Sequence, residues 1–346
     1  MFPPVKASTV TAKARRCLAV LTLTAAAVAL SGCGGSSSSP ATGAAPNADR
    51  AAAAAGVGSG VNDDQCGKQT RTIKHDLGTT TITGNPTRVV ALEYSFVDAL
   101  VSVGMAPVGI ADDDKADRII PGLRSKIGDY KSVGLRATPN IQVITALKPD
   151  LILAESGRHK AIYDQLSKIA PTVAYPSLNG NYQQVVDSEM STAIALNKCD
   201  QMKTRLADHE KILADLKTNV PADDKRKALF VVTSEKGFTG YPPKSYTAGV
   251  LSLLGIQSPL ADETGDASVS LTLETLVSTK PDAMFIAGQN GKTLADTWEK
   301  SPLWKQVPAI QNNASYQVDQ NIWSRSRGLL ASELIAQQAI ENLYGK

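Results

Sequence analysis

The side chains best placed to do chemistry in this sequence are arginines, and the chemistry that suits them is the capture of carboxylate oxygens. Arg136 stands in Gly134-Leu135-Arg136-Ala137-Thr138-Pro139-Asn140, a loop immediately ahead of a helical pattern, from which a side chain can project into a cleft. Arg158 follows the buried-strand pattern Leu151-Ile152-Leu153-Ala154, at the carboxyl end of a strand, where open α/β sheets bind ligands. Arg325 and Arg327 alternate about Ser326 just ahead of the last helical pattern. In extended chain alternate residues point the same way, so the two are expected to face one anion. A guanidinium grips a carboxylate bidentately where an ammonium supplies only a point charge. His159 could donate a hydrogen bond beside them or be structural, and Trp323 supplies a rigid face as cleft wall or as core.

Catalysis lacks its parts. The three histidines, at 75, 159 and 209, fall in separate segments, and there is no Gly-x-Ser-x-Gly, His-Glu-x-x-His or glycine-rich phosphate loop. The chain therefore reads as a binder rather than an enzyme, with no cofactor. A receptor for a bare metal ion would want clustered ligands, and the one acidic cluster, Asp112-Asp113-Asp114, reads as an exposed loop. No basic stripe with interleaved aromatics marks a nucleic-acid surface.

The elements that must position these arginines are announced by a repeat. Ile141 to Ala154 returns as Leu273 to Ala287, beginning 132 positions later, each copy a short amphipathic helix, then Lys-Pro-Asp, then an apolar strand. The proline stops the helix and the apolar run reads as a buried strand, so one α/β unit is present twice. Alternating strands at 70–75 and 78–82 form a hairpin ahead of the first buried strand, 88–92. A helix over 95–103, with Ser95 as a candidate N-cap, and a strand over 108–111 follow. Residues 182–220 carry no strand signal. Cys199 to Thr218 shows a helical apolar face of Met202, Leu206, Leu213 and Leu216, long enough at about 30 Å to join two lobes. The strand pattern resumes at 227–233, and a helix over 329–343 ends the chain. The fold class is α/β, with two Rossmann-like lobes, one long helix between them and a ligand cleft where they meet. Boundaries are expected at 65–181 for the first lobe, 182–222 for the linking helices and 223–346 for the second lobe.

The N-terminus reads as an export signal over residues 1–32. Lys6, Lys13, Arg15 and Arg16 precede an apolar stretch, and removing those four cations takes the net charge from +3 to −1. Leu30-Ser31-Gly32-Cys33 resembles a bacterial lipobox, which implies lipid on Cys33. The serine-, alanine- and glycine-rich residues 33–64 read as a flexible tether. That leaves Cys66 and Cys199, which in an exported protein could form one disulfide or stay as two buried thiols.

Further segments tie the chain to a family. Gly78-Thr79-Thr80, Asn85 to Val90, Val133 to Asn140 and both Lys-Pro-Asp units resemble the helical-backbone substrate-binding proteins of bacterial iron-siderophore and cobalamin importers. Leu92-Glu93-Tyr94-Ser95, Gly109 to Asp113, Ser156-Gly157-Arg158-His159 and Trp323 to Gly328 are most similar to members that bind ferric citrate. The resemblance implies a monomeric lipoprotein on the outer face of the cytoplasmic membrane. Such a protein binds a ferric chelate as transport ligand and hands it to an ABC permease-ATPase complex. It implies ligand contact by Arg136, and it makes Tyr94, Ser95, Lys236 and Tyr246 further candidates. The match weakens at Glu235-Lys236, where an arginine is expected, and at Tyr246, where a tryptophan is expected. It also implies permease docking through Glu274 in the second repeat, while the first carries Gln142. An anionic triscatecholate siderophore would suit the same arginines, and a non-transport sensor or scaffold lipoprotein is the alternative of another class.

Overall fold

The two Lys-Pro-Asp units perform the same construction in both halves of the molecule. In the structure, a computed structural model describing residues 60–261, 265–288 and 293–346, Lys148 and Lys280 are left-handed, with φ of 46° and 51°. Each ends its helix and turns the chain into the following proline. The Asp150 carboxylate then accepts the backbone N–H groups of Thr87 and Arg88 at 2.7 and 2.8 Å, and that of Asp282 accepts Lys227 N–H at 2.8 Å. In return, Asp150 N–H donates to the Arg88 carbonyl and Asp282 N–H to that of Lys227, each at 2.9 Å. Each aspartate thus fixes its own strand against the start of the neighbouring one.

The strands are β1 Thr70–His75, β2 Gly78–Thr83, β3 Val89–Ala91, β4 Gly109–Ile110, β5 Lys131–Ser132, β6 Leu151–Glu155, β7 Thr172–Tyr175, β8 Ala228–Thr233, β9 Phe238–Gly240, β10 Val269–Ser270, β11 Ala283–Gly288 and β12 Ser315–Gln317. β1 and β2 form the expected hairpin. The first large sheet runs β5-β4-β3-β6-β7 and is parallel throughout. The second runs β10-β9-β8-β11-β12, with β8, β11 and β12 parallel. β9 follows β8 through a short turn and so must pair antiparallel, and β10 pairs antiparallel with β9. Strand order in the first sheet reverses between β3 and β6, the place where such sheets open a crevice at their carboxyl ends.

Side chains alternate across each strand. Val89 and Ala91 of β3 and Ala283, Phe285 and Ala287 of β11 enter one shared hydrophobic cluster with the helices between the sheets. The outer faces are covered separately. Val90, Ile152 and Ala154 pack with Ile144 and Leu166, and Val231, Met284 and Ile286 with Leu276 and Trp304.

Two helices make the connection: Tyr182–Leu196, with a capping box between Asn181 and Gln184, and Cys199–Lys217, the expected long rod. They meet at left-handed Asn197, φ 57°. The last helix, Leu329–Tyr344, packs on Cys199–Lys217 and on Tyr94–Ser102. Asp98 of the Tyr94–Ser102 helix accepts Leu330 N–H at 3.1 Å. Gly328 lies so close to Asp98 that a Cβ would stand 2.4 Å from its Cγ, so only glycine fits there.

The export signal of residues 1–32, Cys33 and the tether through residue 59 lie outside the described residues. Residues 60–64, assigned to the tether by composition, belong to the packed body instead. Gly60 N–H donates to Asp187 Oδ1 at 2.9 Å, and Asp63 ion-pairs with Lys203. Cys66 and Cys199 are joined as a disulfide with Cα atoms 6.0 Å apart, which ties this segment to the start of the rod. Among the described residues no helix is long and apolar enough to cross a membrane.

Candidate functional site

At the reversal point of the first sheet the chain leaves β3 through Leu92 and Glu93, and leaves β6 at Glu155. Glu93 is fully buried, which a carboxylate tolerates only when paired. Its partners are two of the expected arginines. Oε2 lies 3.1 Å from Arg136 Nη1 and Oε1 lies 3.0 Å from Arg158 Nε.

Arg136 is held on every side. Its own N–H donates to Asp113 Oδ1 at 2.9 Å, and its Nε and Nη2 donate to Asp113 Oδ2 at 3.1 and 2.9 Å. Its guanidinium carbon stands 4.5 Å from the centre of the Tyr94 ring, a cation–π contact. Burial alone would lower its pKa, but the Glu93 and Asp113 carboxylates hold it above the ordinary value. Asp113 also binds Arg118 at 2.7 Å, a fifth arginine that sequence reasoning did not single out. Of Asp112-Asp113-Asp114, expected as an exposed loop, only Asp114 is exposed. Asp112 is buried and accepts Tyr130 Oη–H at 2.7 Å and Ser132 Oγ–H at 2.5 Å, while Asp113 is a bracket for arginines.

His159 is corrected to a structural role. It is fully buried. Nδ1 accepts Glu155 N–H at 2.8 Å, and Nε2–H donates to the Arg136 carbonyl at 2.7 Å. Both ring nitrogens are spent on backbone, and burial keeps the imidazole pKa below its usual value, so the ring stays neutral and pins the Arg136 loop. Arg158 N–H donates to Glu155 Oε2 at 2.5 Å.

The opposite wall comes from the segment before the last helix. Asn321–Arg325 is a π-helical turn, so Arg325 and Arg327 do not alternate in extended chain as expected. Arg325 donates to Asn321 Oδ1 at 2.8 Å and faces a polar recess of ≈ 840 Å³ together with Asp114, Lys115, Arg118, Asp319 and Gln320. Burial lowers its pKa, and the Arg118 and Arg136 cations lower it further. Arg327 faces Tyr241, Ser324 and Tyr246 instead. It is only 7% exposed, yet among the described residues it makes no ion pair or side-chain hydrogen bond. Burial lowers its pKa, and Arg136 and Arg158 press in the same direction. Arg136 thus stands within electrostatic reach of both.

The other candidates are packed into the protein or lie exposed on its surface. Trp323 is fully buried in the second half, its ring 4.5 Å from Phe285 and 5.5 Å from Phe230, and Nε1–H donates to Gln338 at 2.6 Å; it is core, not cleft wall. Tyr246 is buried, donating from Oη to the Gly328 carbonyl at 2.7 Å. Ser95 does not cap its helix, which begins at Tyr94; its Oγ donates to Ser177 at 2.9 Å. Tyr94 lies beneath Arg136 and donates to the Asp112 carbonyl at 2.9 Å. Lys236 lies exposed in the β8–β9 turn. Gln142 and Glu274 both occupy the second position of their helices, behind the N-caps Asn140 and Thr272, and both are exposed. Among the described residues no group of three or more His, Cys, Asp or Glu converges as a metal site.

A family model described as periplasmic binding protein matches residues 89–322. The Fe(3+)-citrate-binding protein YfmC of Bacillus subtilis (strain 168) is 42% identical over 279 residues, 81% of this chain and 88% of that protein. The Fe(3+) dicitrate-binding periplasmic protein FecB of Escherichia coli (strain K12) is 35% identical over 270 residues, 78% and 89% of the two chains. Among solved structures, Staphylococcus aureus SirA complexed with staphyloferrin B is similar with a TM-score of 0.71 and 29% identity, covering 79% of this chain and 98% of that one.

Proposed function

Because the chain belongs to the periplasmic binding protein family, we propose that it is an extracytoplasmic receptor that captures ferric citrate in the arginine-lined cleft and delivers it to an ABC importer. The observation that carries the ligand class is Arg327, a buried guanidinium with no ion pair among the described residues, within electrostatic reach of Arg136 and Arg158. A buried charge is tolerable when something pairs with it, and here an anionic chelate is the partner. Iron is cargo in this reading, met through the oxygen-rich surface of its chelate. Citrate carboxylates offer the paired acceptors that guanidinium forks fit, and the names of the two relatives above support citrate over other anions.

The delivery partner in this reading is a permease-ATPase complex, approached through Glu274 in the second half with Gln142 in the corresponding place of the first. Lipid on Cys33 would hold the protein, as a monomer, at the outer face of the membrane. Isothermal titration calorimetry of the purified protein with ferric citrate, iron-free citrate and a ferric triscatecholate tests the ligand. Saturable binding of ferric citrate at micromolar or lower concentration is expected. Tight binding of the triscatecholate alone would move the substrate, and no binding of any ferric chelate would overturn the receptor reading.

A further inference from the structure

Resting on that reading of the cleft, we infer that Glu93 is a positioning residue, whose buried carboxylate holds the Arg136 and Arg158 guanidiniums in one rigid fork that meets the chelate. A carboxylate facing an anion site is at first sight a misfit, because it repels the ligand. Its geometry says otherwise. Each oxygen takes a different arginine, Oε2 at 3.1 Å from Arg136 and Oε1 at 3.0 Å from Arg158. One planar group therefore sets the separation of two cations that would otherwise repel each other, through a hydrogen bond to Arg136 and through charge to Arg158, whose Nε–H is not aligned on Oε1.

The two arginines depend on it unequally. Arg136 has Asp113 and the Tyr94 ring as further supports, whereas Glu93 is the only ion-pair partner of the Arg158 side chain among the described residues. A guanidinium has five N–H donors. Arg136 donates three to Glu93 and Asp113, which leaves two for a ligand. On Arg158 both terminal nitrogens are uncommitted among the described residues. Side chains already fixed lose little freedom when the ligand arrives, which is how preorganisation raises affinity. Glu93 follows β3 by two residues, and β3 pairs with β6 at the centre of the sheet, so the fork is built on the central strands.

The two possible roles of this charge predict opposite signs. If Glu93 only subtracts from the positive field, Glu93→Gln tightens binding of an anion. If it positions the fork, Glu93→Gln weakens binding although the cleft becomes more positive. The test is calorimetry and stopped-flow on the purified full chain, using whichever ferric chelate the unmodified protein binds. For Glu93→Gln the expected result is a Kd weakened about ten- to hundredfold, carried by koff, with kon at low salt unchanged or up to about threefold faster. A Kd equal to or tighter than that of the unmodified protein overturns the inference. Glu93→Asp decides independently should the first variant fold poorly. It keeps the charge but is one methylene short of spanning both arginines, so it is expected to weaken Kd without any gain in kon; an unchanged Kd overturns the positioning role. Failure of the receptor reading shows itself separately, as an unmodified protein that binds no ferric chelate, and it would remove this role as well.

Discussion

The two walls of the cleft use the same cation in opposite ways. On the first-sheet wall Arg118, Arg136 and Arg158 are ion-paired to Asp113 and Glu93. On the wall before the last helix Arg325 has the neutral amide of Asn321, and Arg327 has no counter-ion among the described residues. Paired arginines are stable but partly spent. Unpaired ones are costly to bury and available in full. One wall therefore supplies geometry and the other attraction, and only the second holds stability in reserve for a ligand to release.

That division can be broken in four ways. The largest effect belongs to Arg136→Met, which removes the cation shared by Glu93 and Asp113 and leaves them only Arg158 and Arg118 as partners. It should destabilise folding by about 3–5 kcal/mol, read as the urea midpoint at constant slope; a loss no greater than that of a surface substitution would contradict the structural part assigned to the first wall. Next is Arg327→Met. Here the affinity for ferric citrate should fall about a hundredfold, while the ligand-free protein melts roughly 2–4 °C higher because a buried unpaired charge is gone. A lower melting temperature would mean that Arg327 is paired after all.

The third concerns the joint between the halves. Burial raises the Asp98 carboxyl to about 6, Glu333 adding to the shift and Arg205 opposing it. A carboxyl raised above its ordinary value keeps its proton in the folded chain after the unfolded chain has released it. Stability is therefore greatest on the acid side and declines as pH rises toward about 6, beyond which this group contributes no further change. Between pH 4.5 and 6.5 Asp98 should remove about 2 kcal/mol, and Asp98→Asn should flatten that part of the profile. Glu189, raised in the same direction by burial and by Asp98, keeps a slope of the same sign in the variant. An unaltered profile in Asp98→Asn would place the titration elsewhere. The smallest effect is expected at the docking positions. Glu274→Lys should slow uptake in cells a few-fold with ligand affinity intact, and Gln142→Lys should do less, since exposed charges steer and orient an encounter more than they hold it. Equal effects would make the two halves equivalent in docking.

Much of this was legible in the chain itself. The doubled helix, Lys-Pro-Asp and strand pattern predicts β6 and β11, and the structure adds why the aspartate stands there. The arginines were visible because loops after strands are where open sheets put ligand contacts. Their partners were not. Nothing local marks Glu93 or Asp113 as brackets, because the residues they hold lie 43 and 23 positions away, and an acidic run after a strand looks the same whether solvated or pinned. Burial misled in the other direction for Trp323, Tyr246 and His159. Each is a polar-tipped ring beside expected contacts, and only the tertiary packing decides that its tip is satisfied by the protein. The expected alternation of Arg325 and Arg327 failed for a similar reason, since a single π-turn undoes a period-two argument.

The seating of Trp323 in the second half extends to all three tryptophans of the chain. Trp298 and Trp304 gather on Phe238 with ring centres 4.6 and 6.4 Å away, so the tryptophan emission of this protein, excited where tyrosine does not absorb, is one-sided. A denaturation curve followed by that light reports the survival of the second sheet's outer and inner faces and not of the first sheet. Set beside far-UV circular dichroism, which sees both, it measures whether the two halves melt as one cooperative body or in sequence.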